Sequence, residues 1–141
     1  MNISKLYFLC IVIVAAAFVG ACGTPSNPSR PDLVVVGRDA NGTFDCAYDG
    51  NEIRIPVLNF GSDAPDSKVH IEFNNGAPQG TLDSRTGSIL AGHTFVVPDA
   101  TVPLSCLDGS CTITVHVDSD GAVSEGNEDN NIATCVIVVP G

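Results

Sequence analysis

From residue 32 onward, short apolar runs rich in valine, isoleucine and threonine alternate with clusters of glycine, asparagine, aspartate and proline. Two segments, 68–74 and 111–118, place apolar residues at every second position, as strands with one buried face do. Their inward sets are Val69, Ile71, Phe73 and Ile113, Val115, Val117. We expect strands at residues 33–37, 43–47, 52–59, 68–74, 86–90, 94–97, 111–118 and 132–139. Because the connections are too short for crossover helices, the pattern predicts an all-β antiparallel sandwich of seven to eight strands.

The N-terminal segment has a different pattern. One lysine, Lys5, precedes 16 mainly apolar residues, fewer than the roughly 20 that span a bilayer. The stretch ends in Val19-Gly20-Ala21-Cys22, which resembles a bacterial lipobox. We expect residues 1–21 to be a lipoprotein signal peptide and Cys22 to be the lipidated N-terminus. An ordinary secretory signal with a coincidental cysteine is the alternative.

Residues 22–31 contain three prolines and no large apolar side chain, so they cannot join a core. As a proline-rich spacer of about 3 Å per residue, they would hold the domain some 20–30 Å from a lipid surface. This predicts a tether at 22–31 and one folded domain at 32–141. Gly23 follows Cys22 in place of aspartate, which by resemblance to enterobacterial sorting predicts an outer-membrane location in a bacterial cell envelope.

The composition narrows the classes of fold and partner. The chain has 141 residues, with 16 acidic and 6 basic side chains and a net charge of −10. This negative charge repels nucleic acid and anionic membrane surfaces and so disfavours them as partners, apart from the membrane contact through the lipid. With 14 glycines, 9 prolines and no tryptophan, a helical bundle is disfavoured too.

Three motifs carry a resemblance to a known family. The domain opens with Pro31-Asp32-Leu33-Val34-Val35, a later strand closes in Asn59-Phe60-Gly61, and Glu125-x-x-Glu-x-Asn-Asn precedes the last strand. Together they resemble the CARDB family, the cell-adhesion-related domain of bacteria, over residues 31–139. The resemblance implies an immunoglobulin-like β-sandwich that serves as a non-catalytic extracellular module. The chain departs from the family pattern by its four cysteines.

These four are Cys46, Cys106, Cys111 and Cys135, and an even number in an exported domain favours two disulfides. Three pairings are possible. An Asp-Gly turn favours Cys106–Cys111. The immunoglobulin-like topology places the strand of Cys46 beside that of Cys135, so we pair these two. A zinc site is the alternative, although the close Cys-x₄-Cys pair has no second close pair to complete it.

The acidic turn before the last strand is the strongest candidate for a ligand site. Asp118, Asp120, Glu125 and Glu128 supply the oxygen ligands that calcium prefers, although their spacing is not that of an EF-hand. The alternative is structural, with acidic and amide side chains accepting backbone hydrogen bonds in a long loop. We expect no other cofactor.

Two histidines form a second candidate. His70 and His116 fall on outward positions of strands that neighbour each other in an immunoglobulin-like sheet, and with Glu72 they could form a loose zinc or copper site. Two solvated histidines are the alternative. No Ser-His-Asp arrangement, phosphate loop or dinucleotide fingerprint is present, so we do not expect an enzyme.

Two functional hypotheses remain. The first is a lipid-anchored, extracytoplasmic binding or adhesion-type module that holds a protein or polysaccharide partner without catalysis. The second is a structural lipoprotein subunit or spacer of an envelope assembly.

Overall fold

The computed structural model describes residues 29–138, and this part of the chain is all-β. The predicted signal peptide, Cys22 and most of the predicted tether lie outside the described residues. Nine strands are present in the described part: β1 (Leu33–Val35), β2 (Ala47–Asp49), β3 (Glu52–Arg54), β4 (Pro56–Asn59), β5 (Lys68–Asn74), β6 (Pro78–Arg85), β7 (Thr94–Val96), β8 (Ser110–His116) and β9 (Ile132–Val138). A 3₁₀ helix, η1, covers Leu104–Cys106. No helix within residues 29–138 has the length and apolar character needed to cross a membrane.

The strands form two main antiparallel sheets and one hairpin. The larger sheet has the order β6-β5-β8-β9, the smaller has the order β1-β4-β7, and β2 pairs with β3 alone. The prediction of an all-β antiparallel sandwich is therefore confirmed, with nine strands instead of seven or eight.

The core lies between the inner faces of the two sheets. Alternate residues of β5 and β8 are fully buried there, as the alternating pattern predicts. The largest fully buried side chains are Leu33, Ile55, Ile71, Ile113 and Ile137 together with several valines. Because inward positions of both sheets meet in one cluster, the two sheets form a single hydrophobic unit.

The predicted strand 52–59 is divided in the structure. Its first half, β3, pairs with β2, whereas its second half, β4, lies between β1 and β7. The change occurs at Ile55 and Pro56, where Ile55 O accepts a hydrogen bond from Val97 and Pro56 O accepts one from Val36. Proline has no N–H to donate to a ladder, so a continuous strand is interrupted here.

Two other predicted strands were wrong in position. In the segment 43–47, Thr43 forms an isolated parallel bridge to Thr134, and the strand itself begins only at Ala47, which pairs with Arg54. In the segment 86–90, Ile89 forms a single bridge with Ala64 and no strand.

Strand β6 was missed because its sequence, Pro78–Arg85, is rich in proline, glycine and polar residues of low β propensity. It is an edge strand, and few of its side chains are buried in the core. Backbone pairing with β5 therefore holds it in the sheet, and its sequence lacks the alternation of apolar and polar residues that is usual for a strand.

Asn59 explains the Asn-Phe-Gly motif at the end of β4. Its side chain is fully buried, accepts hydrogen bonds from the backbone of Asp32 and Gly61, and donates to the carbonyls of Ser62 and Ile89. One amide thus ties together three segments of the chain, and all of its polar groups are used.

Gly61 packs directly against the start of the domain. A Cβ atom at this position would lie 1.8 Å from the carbonyl oxygen of Arg30. Only glycine allows this close approach of two backbone segments.

Two disulfides join Cys46 to Cys135 and Cys106 to Cys111, the same pairs inferred from the sequence. The first connects the segment before β2 to β9 across 89 residues, and the second connects η1 to β8 across 5 residues. All four cysteines are therefore used, and the zinc alternative for them is wrong.

Candidate functional site

Three carboxylates converge at one end of the larger sheet. Asp118 follows β8, and Glu125 and Glu128 lie in the loop that leads to β9. One oxygen from each lies within 4.8 Å of the others. We call these three residues the acidic pocket.

Asp118 is held in place by its own loop. Its backbone adopts a left-handed conformation with φ of 51°, which aspartate tolerates better than most residues. Its carboxylate accepts hydrogen bonds from the N–H groups of Ala122 (3.0 Å) and Val123 (3.1 Å). Burial raises the pKa of Asp118, and these two backbone hydrogen bonds offset only part of that effect.

Glu125 is buried, since the residue is only 4% exposed, the same fraction as Asp118. Its Oε2 accepts a hydrogen bond from the N–H of Leu33 at the start of β1. Its Oε1 is buried and has no hydrogen-bond partner within the described residues. The pKa of Glu125 is raised to about 7, chiefly by burial and also by the neighbouring carboxylates of Glu128 and Asp118, and the hydrogen bond from Leu33 offsets only part of this rise.

Glu128 closes the pocket on its exposed side. Its Oε1 accepts a hydrogen bond from the N–H of Glu125 (2.9 Å), and its Oε2 accepts one from the side-chain amide of Asn131 (3.0 Å). The amide oxygen of Asn131 is also buried without a partner in the described part. The three carboxylates thus converge on one small volume, and the unpartnered amide oxygen belongs to a residue that contacts Glu128.

No positive charge neutralises the acidic pocket. None of the ion pairs found among residues 29–138 includes Asp118, Glu125 or Glu128. Buried carboxylates without a counter-charge are costly, so they take up either a proton or a cation.

The pocket also joins the loop to the start of the domain. Besides the contact between Glu125 and Leu33, the N–H of Gly126 donates to the carbonyl of Pro31 (2.7 Å). Asn130 donates to the carboxylate of Asp32 (2.8 Å). Whatever stabilises the acidic pocket therefore stabilises the N-terminal attachment of β1.

Asp120 does not belong to the pocket, so its place in the predicted calcium set needs correction. Its carboxylate accepts hydrogen bonds from the backbone N–H of Lys68 (3.0 Å) and from the Arg85 guanidinium, which also contacts Asp66. Partial burial raises the pKa of Asp120, but the hydrogen bonds from Lys68 and Arg85 outweigh it and the pKa is lowered overall. The carboxylate of Asp120 is bound by Lys68 and Arg85 because β6, which carries Arg85, lies beside β5, which begins at Lys68.

The two histidines lie opposite each other on the outer face of the larger sheet. His70 of β5 is the register partner of His116 on β8 and of Asp83 on β6. The Nδ1 atom of His70 lies 2.5 Å from Asp83 Oδ1, and its Nε2 atom lies 3.4 Å from Glu72 Oε1. Asp83 was missed from the sequence because β6 was not predicted.

An open groove of about 510 Å³ lies between the β2–β3 hairpin and β7. Tyr48, Arg54 and Asp99 are among its lining residues, which include no histidine, cysteine or serine. The charged side chains that line this groove are exposed, whereas Asp118 and Glu125 are buried and converge with Glu128, so the acidic pocket is the better candidate for a ligand site.

Comparisons with known proteins agree on the type of domain. The CARDB family model matches residues 30–135. No curated protein matches the chain.

Two solved structures are similar to this fold. One is the CARDB domain of a Pyrococcus furiosus protein in complex with di-metal ions, with 25% identity, a TM-score of 0.56, and coverage of 79% of this chain and 94% of that one. The other is a domain from Methanosarcina acetivorans, named for a cell surface protein, with 26% identity, a TM-score of 0.59 and the same two coverages.

Proposed function

Because the chain belongs to the CARDB family, we propose that it is a non-catalytic, adhesion-type module of the cell surface, tethered by its N-terminus and braced by a calcium ion. The observation that carries the proposal is the buried, unpartnered Oε1 of Glu125 among three converging carboxylates. The name of the Methanosarcina acetivorans relative supports the location.

The donor atoms favour calcium among common cations. The acidic pocket offers carboxylate oxygens from Asp118, Glu125 and Glu128, with the amide oxygen of Asn131 nearby, and no nitrogen or sulfur ligand. Calcium takes six to eight oxygens in flexible geometry, whereas magnesium demands a smaller octahedron and keeps its waters. The di-metal complex of the Pyrococcus furiosus domain supports a metal-binding role for such a module.

Calcium at this site would act on the attachment of the domain. The ion would hold Glu125 in its ionised form, which is the stronger acceptor for the hydrogen bond from Leu33 at the start of β1. Since β1 follows the proposed tether, calcium would reinforce the point at which pulling force enters the domain.

The tether and lipid anchor rest on the motif Val19-Gly20-Ala21-Cys22, which lies outside the described residues. Replacing Cys22 with serine should abolish fatty-acid labelling and release the protein from the membrane fraction. Retention of both label and membrane association in Cys22→Ser would contradict the anchor.

The partner is best sought at β9, one edge of the larger sheet. Its outer face carries an exposed apolar row, with Ile132, Val136 and Val138 at 50%, 55% and 64% exposure. On the edge of β9 that faces away from β8, the backbone N–H and C=O of Thr134 form hydrogen bonds with the segment 42–44. Because these groups alternate in direction along a strand, the N–H and C=O of Val136 point to the same edge. No backbone partner for Val136 on that edge lies within the described residues.

An apolar strand edge with free backbone groups at Val136 suits a protein strand better than a polysaccharide. Next to it, Val138 O accepts a 3.4 Å hydrogen bond from the Tyr48 hydroxyl. We therefore propose a protein partner, bound as an added strand along β9. The same geometry supports the second hypothesis, a subunit of an envelope assembly, because strand addition is also a mode of assembly.

Photo-crosslinking in intact cells tests this function. A photoreactive residue is placed at Val136 in the full-length, anchored protein, and a matched one at Leu90, which is 52% exposed and lies in the loop that precedes β7 of the smaller sheet. We expect a discrete protein adduct from position 136 and none from position 90. Equal adducts at both positions, or none at 136, would contradict a partner on β9.

A stoichiometric adduct with envelope proteins would identify a structural subunit. An adduct with an exogenous or secreted protein would identify an adhesion module. Both results support binding at β9, and they separate the two hypotheses.

A further inference from the structure

We propose that His70, His116 and Glu72 form a second metal site, selective for transition-metal ions such as Zn²⁺ and Cu²⁺, on the outer face of the larger sheet. This site shares no residue with the acidic pocket and does not depend on the proposed calcium ion.

The first argument is the position of the two imidazoles. His70 and His116 are direct partners in the antiparallel pair of β5 and β8, and both are half-buried on the outer side of the sheet. Cβ atoms of such partners lie about 4.5–5.5 Å apart, so two imidazole rings can reach one ion. No hydrogen bond or ion pair engages the His116 ring within residues 29–138, which leaves that ring free to turn toward an ion.

The second argument is the orientation of His70. Its Nδ1 lies 2.5 Å from Asp83 Oδ1, and since a carboxylate can only accept, Nδ1 carries the proton. This leaves Nε2 unprotonated and available as a ligand when the ring is neutral. A histidine whose second nitrogen donates to a carboxylate is the usual arrangement around protein-bound zinc.

Asp83 is suited to this orienting role. One of its oxygens accepts from His70, and Lys68 Nζ lies 3.6 Å from the other oxygen, Oδ2. Asp83 is thus held between two partners and keeps accepting from His70. It acts as a positioning residue and does not contact the ion.

The third argument is the gap between His70 and Glu72. The 3.4 Å separation of His70 Nε2 and Glu72 Oε1 is longer than an ordinary N–H···O hydrogen bond of 2.7–3.2 Å. Two ligands at about 2.0–2.1 Å from a tetrahedral zinc ion lie about 3.4 Å apart. The two atoms are thus spaced as neighbouring ligands. His116, whose ring nitrogens lie outside a 4.8 Å group with these two atoms in the structure, would turn to become the third ligand, with water as the fourth.

The ligand types separate this site from the acidic pocket. Imidazole nitrogens favour copper and zinc, whereas calcium and magnesium favour oxygen alone. Millimolar calcium should therefore not displace zinc from the two histidines.

The test is calorimetric titration of the full-length protein with Zn²⁺ in the presence of millimolar calcium. Wild type is compared with His70→Ala, His116→Ala and Asp83→Asn. The matched control is His93→Ala, which removes a histidine that contacts the backbone carbonyl of Ala91. Because the variants differ only at these positions, zinc bound by N-terminal cysteines contributes equally to all titrations.

We expect His70→Ala and His116→Ala each to weaken zinc binding by at least about tenfold and Asp83→Asn by about 10–100-fold. His93→Ala should bind within about twofold of wild type. Wild-type affinity in both His70→Ala and His116→Ala would overturn the proposal, as would an equal loss in His93→Ala.

Electron paramagnetic resonance of bound Cu²⁺ counts the imidazole ligands of the ion. This count would not change if the two histidines had only a structural role. Nitrogen couplings from two imidazoles are expected in wild type and from one in His116→Ala. Identical spectra for these two proteins would contradict shared ligation. Metal-free thermal melting of each variant confirms that it is folded before titration.

Discussion

The substitution Glu125→Gln should stabilise the calcium-free protein at pH 8. The folded pKa of Glu125, about 7, lies above its ordinary value of 4.5, so the folded protein binds this proton more tightly than the unfolded chain. For this group, stability is greatest below pH 4.5, falls as pH rises from 4.5 to about 7, and is constant above that. The difference corresponds to roughly 3 kcal/mol of stability lost at pH 8.

Glutamine fits the same space and carries no charge to desolvate. Its amide oxygen can accept from the N–H of Leu33, and its NH₂ group replaces the unpartnered Oε1 and can donate to Asp118 or Glu128. With calcium chelated, Glu125→Gln should match wild type near pH 4.5 and exceed it by up to roughly 3 kcal/mol at pH 8.

Urea denaturation of both proteins between pH 4.5 and 8, with chelator, measures this difference. Calcium should reverse the order, because an ion at a thousandfold excess over its dissociation constant adds about 4.1 kcal/mol to wild type alone. A Glu125→Gln protein that is less stable than wild type at pH 8 in chelator would refute the reasoning, because the ionised carboxylate would then be favourable without a cation.

Three further substitutions test the scaffold that holds the pocket. Asn59→Ala should cost about 3 kcal/mol or more in urea denaturation, because the N–H groups of Asp32 and Gly61 and the carbonyl of Ser62 lose their partner, and a cost below 1 kcal/mol would contradict its role. Gly61→Ala should cost about 1–3 kcal/mol, since its Cβ would overlap the Arg30 carbonyl, and wild-type stability would show that this approach is not needed. Replacing Cys46 and Cys135 with alanine should cost about 4 kcal/mol, against about 2 for the shorter disulfide, and equal costs would contradict the loop-length argument.

The sequence predicted the strands whose side chains alternate cleanly. β5 and β8 each bury one face, so burial imposes a period of two that is legible in the residues. β6 has no such pattern, because an edge strand with few buried side chains is held by backbone pairing. The strand with which it pairs cannot be identified from its own residues.

The candidate sites could also be predicted only in part, because local sequence shows which residues are present but not which distant residues they contact. The cluster of carboxylates after β8 is evident in the sequence, but which of them converge depends on contacts with distant strands. Asp120 is drawn to Arg85, 35 residues away, and Glu125 is buried against Leu33, 92 residues away. The orphaned oxygen of Glu125, on which the calcium proposal depends, is a property of packing and has no signature in the sequence.

The most direct test of the calcium-braced module is a crystal structure grown in millimolar calcium at neutral pH. Our account predicts one ion bound at 2.3–2.6 Å by carboxylate oxygens of Asp118, Glu125 and Glu128, with Glu125 Oε1 among its ligands. A structure without an ion, in which Glu125 Oε1 lies at hydrogen-bond distance from a neighbouring carboxylate, would show a shared proton instead and would contradict the account.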